Sequence, residues 1–138
     1  MVAYNKFEQF VEDLAHQVHG QDTDQFTVAL MAAAPSASLD AVLADITEIS
    51  YTNLSARDIT TTSSAQTGGV YKLTLTDLVL TATGAVATFR YVVIYNNTPA
   101  APLDPLVAWY DHGSNVTLAN GETFTIDFDD TNGFHQIV

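Results

Sequence analysis

Short apolar runs separated by turn-forming residues are the feature that most constrains the fold of this chain. FRYVVIY at 89–95 is apolar at nearly every position, which predicts a central strand covered on both faces. QFTVALM at 25–31 alternates, with its even-numbered residues apolar, and predicts a strand with one apolar face. LVAWYD at 106–111 predicts a further strand. These runs favour a fold built mainly from β-strands, and the abundance of Thr and Val agrees with it.

A helix is predicted over residues 5–19, because apolar side chains recur there at the spacing of one helical face. They are Phe7, Phe10, Val11, Leu14 and Val18. Asn5 can cap the start together with Glu8, and Gly20 can end the helix in a left-handed conformation. One isolated helix of this length is marginal in water, so its apolar stripe must dock on the sheet of this domain or on a neighbouring subunit.

Residues 38–49 predict a second short helix, with apolar residues at helical spacing and Ser38 as its N-cap. The polar stretch that follows predicts a short strand, RDITTT at 57–62, and then the loop SSAQTGG at 63–69. In the next run the apolar residues are odd-numbered up to Leu75 and even-numbered from Leu78. Side chains of a strand alternate with period two, so this slip predicts a tight turn or a bulge between the two leucines.

The same parity argument predicts a hairpin near the C-terminus. The apolar positions around the turn signal are all even-numbered: Val116, Leu118, Phe124, Ile126 and Phe128. Opposed residues of an antiparallel pair have numbers with a constant sum, so these sets meet only across a loop with an odd number of residues. A three-residue loop at 119–121 sets Val116 against Phe124, and it places Gly121 where a left-handed residue is needed.

In total the sequence predicts seven to nine short strands after one or two helices. We therefore expect a mainly-β fold, an antiparallel β-sandwich or jelly roll with an N-terminal α-helix and a second short helix. The length of 138 residues suits a single domain over 1–138, with the N-terminal helix within 1–20 and a β-sandwich body over 25–138.

The charge is strongly acidic, because sixteen Asp and Glu outnumber four Lys and Arg and give a net charge of −12. Neutralising phosphates needs clustered basic residues, so we expect neither nucleic acid nor an anionic membrane as a partner. Self-repulsion of the acids favours solubility, and complementarity to a basic protein surface is the alternative reading. Without cysteine there is neither a disulfide nor a thiolate metal site. We find no membrane-spanning run and no signal peptide, so we expect synthesis and assembly in the cytosol.

Candidate metal and catalytic groups are weak. His16 and His19 lie three apart, but no third ligand is placed near them in sequence. Asp111 and His112 precede a Gly-Ser turn without a nucleophile motif. The acidic cluster at 127–133 departs from the ligand spacing of a calcium loop and is typical of a solvated turn. We therefore predict no catalytic, cofactor-binding or metal-binding residue, no cofactor and no enzymatic activity.

Trp109 and Tyr110 are neighbours on one predicted strand, so their side chains point to opposite faces. One of them is expected in the core. The other is a candidate exposed anchor, since aromatic residues are enriched in interface hot spots. Burial of both in the core explains the pattern equally well.

Taken in order, several segments resemble a family of small tailed-bacteriophage virion proteins. They are YNKFEQFVEDLAHQVH at 4–19, FTVALM at 26–31, ADITEI at 44–49, GGVYKLTLTDLVLTATG at 68–84, FRYVVIYNNTP at 89–99, DPLVAWYDHGSNVTLANGETFTIDFD at 104–129 and NGFHQIV at 132–138. The resemblance covers nearly the whole chain and contains no catalytic motif. It implies a capsid cement, or decoration, protein with a jelly-roll-like body.

Two functions follow as hypotheses. The first is a non-enzymatic virion structural protein that stabilises the phage head by bridging major capsid subunits, as a symmetric dimer or trimer on the outer capsid surface. Deletion of residues 1–20 is then expected to abolish capsid binding or oligomer formation. The second is a tail- or fibre-associated binding module with carbohydrate as a candidate ligand, which predicts exposed aromatics on a loop or a concave face.

Overall fold

The computed structural model describes residues 2–138 and arranges them in three antiparallel sheets with one short helix. Strands hold 43% of the residues and helical turns 8%, which confirms the mainly-β antiparallel prediction. The elements are β1 (Asn5–Lys6), α1 (Glu8–Ala15), β2 (Phe26–Met31), β3 (Asp58–Ile59), β4 (Thr61–Thr67), β5 (Val70–Leu75), β6 (Leu78–Thr81), β7 (Phe89–Asn96), β8 (Leu106–Val116), β9 (Thr123–Ile126) and β10 (His135–Ile137).

The largest sheet has five strands in the order β1-β8-β7-β2-β3. Strand β7 lies at its centre, as its apolar run predicts. The neighbouring strand β2, also predicted, is buried along its whole length, so its second face, with Thr27 and Ala29, is covered as well. Thr27 can be buried there because its hydroxyl donates to the carboxylate of Asp58, 2.9 Å away.

The other two sheets have the orders β10-β5-β4 and β6-β9. The parity slip after Leu75 coincides with a two-residue break in strand structure, Thr76 and Asp77, at which the chain leaves the three-stranded sheet and enters the two-stranded one at Leu78. Buried residues of all three sheets form one hydrophobic cluster, which gives the molecule its sandwich-like core. Fully buried members include Phe26, Leu73, Leu80, Phe89 and Leu106.

The N-terminal helix is shorter than predicted, and both predicted caps were wrong. Asn5 belongs to β1 and pairs with Trp109 of β8, so the backbone is extended where the cap was expected. The helix starts after Phe7 and ends at Ala15, and Gln17, with φ of 62°, takes the left-handed conformation assigned to Gly20. The competing force is strand pairing, which uses the backbone groups that helix capping would need.

The apolar face of α1 docks on the protein's own core. Phe7 and Phe10 are 0% and 5% exposed, whereas Val11 is 50% exposed on the outer side. The stripe is therefore not free to cross a subunit boundary. Deleting residues 1–20 would remove core side chains together with strand β1, so that deletion tests folding and not an interface.

The predicted second helix over 38–49 was wrong. A single 3-10 turn, Leu43–Asp45, is the only helical part of this segment. The backbone amides of Ala41 and Val42 donate to the carboxylate of Asp45, while the carbonyl of Ala41 accepts from the amide of Leu106. The backbone groups of this segment therefore form hydrogen bonds within turns and with the start of β8, and they are not available for helical hydrogen bonds.

The predicted loop at 63–69 is in fact most of strand β4 and its turn. Thr67 lies opposite Val70, and the two-residue connection consists of Gly68 and Gly69, with φ of 61° and 85°. Positive φ at both positions is what a type I′ hairpin turn requires, and glycine meets it without steric cost.

The predicted C-terminal hairpin has the right turn but the wrong strand partners. The amide of Glu122 donates to the carbonyl of Ala119 at 3.0 Å, and Gly121 has φ of 85° as predicted. Yet β9 pairs with β6, and Val116 lies opposite Phe89 of β7. Strand β8 also runs five residues beyond the predicted end at residue 111, through a bulge opposite β7.

Candidate functional site

One concave surface is a cleft of about 610 Å³ between the N-terminal segment, β8, β9 and the loop that follows β9. We call it the aromatic cleft. It is lined by Val2, Tyr4, Val92, Tyr110, His112, Phe124, Thr125, Ile126, Asp127, Phe128, Asp129, Gly133 and Phe134. Its walls are mostly apolar, as is usual for pockets that hold a small ligand or a side chain.

The rings of the cleft pack edge to face. Tyr4 lies 6.1 Å from Tyr110 and 5.4 Å from Phe134, measured between ring centroids, and Phe134 lies 5.9 Å from Phe128. Burial raises the pKa of both tyrosine hydroxyls, so they remain neutral donors at physiological pH. This packing holds the N-terminal segment against the C-terminal loop and fixes the shape of the cleft.

The rim of the cleft is acidic. Asp127 is exposed, and Asp129 accepts hydrogen bonds from the backbone of Thr131 and Asn132, both at 2.8 Å. The Asn132 bonds are the main reason that the pKa of Asp129 lies below its usual range. No Lys or Arg is among the lining residues. The cleft can therefore accept an apolar or aromatic group with a donor or a positive charge at its edge.

A second surface is formed by Val42, Leu43, Pro102 and Leu103, and the exposed Leu39 precedes it in the same segment. We call these five residues the leucine patch. Leu39 is 81% exposed and Leu103 is 64% exposed. The amide of Leu43 donates to the carbonyl of Asp104 at 2.9 Å, and Val42 pairs with Pro105, so the two segments lie side by side. The patch is apolar surface held in place by backbone hydrogen bonds.

A third group of residues is a buried polar cluster around Phe10, formed by Asp13, His19 and His135. The ring of Phe10 lies 5.1 Å from that of His19 and 5.6 Å from that of His135. His19 Nδ1 and the side-chain amide of Asn96 are 3.1 Å apart. Burial lowers the pKa of His19, and it lowers that of His135 to about 4, so both rings are neutral at pH 7. One polar atom of each cluster member is buried without a hydrogen-bond partner: Asp13 Oδ2, His19 Nε2 and His135 Nε2.

The weak metal and catalytic candidates do not come together. His16 is exposed beside Glu12, whereas His19 is buried, so the two histidines face different surroundings. Among residues 2–138 no group of three or more His, Asp or Glu is arranged to hold a metal ion. The guanidinium of Arg90 donates two hydrogen bonds to the carboxylate of Asp111, from Nε at 2.7 Å and from Nη2 at 2.9 Å. Asp111 lies next to the bulge between β7 and β8. The acidic segment at 127–133 forms a hydrogen-bonded turn around Asp129.

Trp109 and Tyr110 point to opposite faces of β8, as expected, and both are half-buried. Trp109 packs against Tyr91 with ring centroids 6.1 Å apart, and its indole nitrogen is buried without a partner. Tyr110 lines the aromatic cleft beside Tyr4. Neither residue is a fully buried core residue or a freely exposed anchor.

The sequence reasoning missed the aromatic cleft and the leucine patch. Tyr4 and Phe134 come from opposite ends of the chain, and only the pairing of β1 with β8 and of β10 with β5 brings them together. For the leucine patch a signal was present: Leu39 and Leu103 both lie next to proline-containing loops, where an apolar side chain has little core to enter.

No helix within residues 2–138 is long and apolar enough to cross a membrane. Comparison with protein-family models, with curated proteins and with solved structures finds no match to this chain.

Proposed function

We propose that this chain is a non-enzymatic virion structural protein, a capsid cement protein with a jelly-roll-like body that bridges major capsid subunits on the outer surface of a phage head. It acts as a symmetric homo-oligomer, with the major capsid protein as its partner. Each bound copy stabilises the shell by mass action, because it binds the assembled state and not the separated subunits. Repetition over symmetric sites turns modest contacts into strong attachment.

The leucine patch is the observation that carries this proposal. Within residues 2–137, Leu39 and Leu103 are the most exposed large apolar side chains. Burying one such leucine contributes about 1.5–3 kcal/mol. An apolar surface on a hydrogen-bonded frame is well suited to cover a joint between shell subunits, since little ordering is lost on binding.

The charge supports a place on the outside of the shell. With a net charge of −12 the protein would be repelled by packaged DNA. Carboxylates surround the leucine patch: Glu48 and Asp104 line the same concavity, and Asp40 and Asp45 lie in the same segment as Leu39 and Val42. An apolar contact ringed by acids fits a capsid surface with basic residues around an apolar joint.

The experiment is to bind purified protein to phage heads that lack it and to measure occupancy by co-sedimentation. The double variant Leu39→Ser, Leu103→Ser should lose at least tenfold in affinity. The control is Val79→Ser, which removes an apolar side chain that is 50% exposed on β6, away from the patch. Equal occupancy of the double variant and the control would refute the role of the patch. Heads that resist heat equally with and without the protein would refute the cement function.

The aromatic cleft favours a second candidate, a tail- or fibre-associated module that binds carbohydrate. Sugar rings stack on aromatic faces, and their hydroxyls suit a carboxylate rim such as Asp127. A glycan array probed with the wild type and with the variant Tyr110→Ala tests it. Hits that vanish in the variant would support this candidate, and an empty array would leave the cement function as the better account.

A further inference from the structure

Strand β4 is an open edge of the molecule. It is the outer strand of the β10-β5-β4 sheet, and most of its residues are exposed. The outer strands of the five-stranded sheet, β1 and β3, have two residues each, and β10 has three. Short or charged edges discourage pairing with another chain. β4 has neither protection, since its seven residues include no charge and no proline.

The hairpin geometry shows which backbone groups of β4 are free. Thr67 and Val70 flank a two-residue turn, so they form a hydrogen-bonded pair, and such pairs recur at every second residue. Ala65 therefore bonds to Lys72, whereas the amides and carbonyls of Ser64 and Gln66 point away from β5. Within residues 2–138 these outward groups have no backbone partner. A bulge between Thr61 and Ser63 limits the regular edge to residues 63–67.

The charge distribution favours a second copy of this chain as the occupant of this edge. A two-fold contact brings one surface against itself, so every charge on it meets its like. In a protein with a net charge of −12, most surfaces would oppose carboxylates in this way. The segment 59–71 has no charged residue and contains the whole of β4, so two copies can approach here without that repulsion.

We propose that β4 pairs in antiparallel fashion with β4 of a second copy, about a two-fold axis at Ala65. Ser64 then lies opposite Gln66 of the other copy, and the four outward groups of each strand are all satisfied. The small side chains of the two Ala65 residues meet at the axis, where the strands come closest. The sheets join into one of six strands. This pairing deepens the homo-oligomeric state included in the proposed function and rests on that state.

A single engineered thiol tests the register, because the chain has no cysteine. In the proposed pair the two Ala65 Cα atoms lie about 4.5 Å apart, within the range that a disulfide spans. Ala65→Cys should therefore form a disulfide-linked dimer on air oxidation of the dilute protein. The control is Thr67→Cys, equally exposed on the same strand, which lies opposite Ser63 and not itself. Equal cross-linking of both variants, or of neither, would overturn the proposed register.

Analytical ultracentrifugation of the isolated protein tests the surface without relying on a cross-link. Gln66→Pro removes one outward amide while leaving the ladder to β5 intact, and Gln66→Glu places like charges near the axis. Both should raise the dimer dissociation constant at least tenfold, whereas Ala87→Glu, the same added charge on an exposed loop, should not. A wild-type monomer at all concentrations, or dimers unaffected by these variants, would overturn the proposal. If head binding nevertheless persisted, the cement function would stand without this pairing.

Discussion

Mild acid should destabilise the fold through His135 before most carboxylates protonate. The ring lies among Phe10, Tyr71 and Phe134, and burial, reinforced by the charge of His19, lowers its pKa to about 4. In the unfolded chain the same ring titrates near 6.5. Between these values the unfolded state binds more protons, so the free energy of unfolding falls as the pH falls from about 6.5 towards 4.

The size of the effect follows from the two pKa values. Each unit of difference is worth about 1.4 kcal/mol, so a shift from about 6.5 to about 4 removes about 3 kcal/mol of stability when complete. The pKa of His19 is lowered as well, mainly by burial and against the charges of Asp13 and Asp24, and it adds in the same direction. Carboxylates act in a lower window: hydrogen bonds from Arg90 and from the backbone of Gly113 lower the pKa of Asp111, so its contribution is lost only as the pH falls below about 4.

The assay is urea unfolding at several values between about pH 7 and about pH 5, a window above the usual pKa of Asp and Glu, about 4. The variant His135→Phe keeps an aromatic ring against Phe10 and has no proton to bind, so its stability should depend less on pH by up to about 1.4 kcal/mol per unit. His16→Gln is the control, because it removes a histidine that is exposed beside Glu12 and lies outside the buried polar cluster.

Two results would refute this reasoning. One is a free energy of unfolding of the wild type that stays constant across the window. The other is a slope in His135→Phe equal to that of the wild type. Should the variant fold poorly, an NMR titration of the wild-type ring gives the same answer, since protonation of His135 near pH 6.5 in the folded state would contradict the burial argument.

Three further changes test the packing of the core. Phe89→Ala should cost about 3–5 kcal/mol, because the ring is 0% exposed, whereas Val79→Ala, half exposed on β6, should cost within about 0.5 kcal/mol; urea unfolding measures both. Gly133→Ala should cost about 1–3 kcal/mol and lower the melting temperature, since φ is +80° and the new methyl group would lie 2.7 Å from the carbonyl oxygen of Leu73. Tyr51→Phe should cost about 1–2 kcal/mol in urea unfolding, because its hydroxyl accepts from a buried amide of β2 at 3.0 Å.

Periodicity predicted the strands that have at least one apolar face. FRYVVIY forms the central strand β7 and FTVALM forms β2. An apolar run of this length is too short for a long buried helix and is typical of a buried strand. The helix at the front was recognised by the same means, but its ends were not. Asn5 is an adequate cap in isolation, and only its long-range pairing with Trp109 decides otherwise.

Parity was a sound but incomplete guide to strand pairing. It requires the even-numbered apolar residues around this turn to face even-numbered ones. Strand β9 obeys this, with Leu80 opposite Phe124 and Leu78 opposite Ile126, whereas Val116 lies opposite the odd-numbered Phe89 beside a bulge. The hairpin hypothesis chose the strand nearest in sequence, whereas β9 pairs with β6 across a longer connection. Parity decides which residues of two paired strands share a face, but it does not decide which two strands pair. For the same reason the aromatic cleft, whose walls come from both ends of the chain, could not be assembled from the sequence.

Strand β4 shows where periodicity has no information to give. A strand with an apolar face alternates, but an outer strand that is mostly exposed to solvent needs no apolar residue, so SSAQT at 63–67 was predicted to be a loop. The signal that remained was Gly68-Gly69, a pair that favours a two-residue hairpin turn and was outweighed by the polarity around it. The polarity that hides the strand in the sequence also keeps its open edge soluble in a lone subunit. Because the strand has no charge, the same edge can pair with a second copy without repulsion. Polar, uncharged residues therefore suit both the exposed edge of a single subunit and the pairing of two subunits.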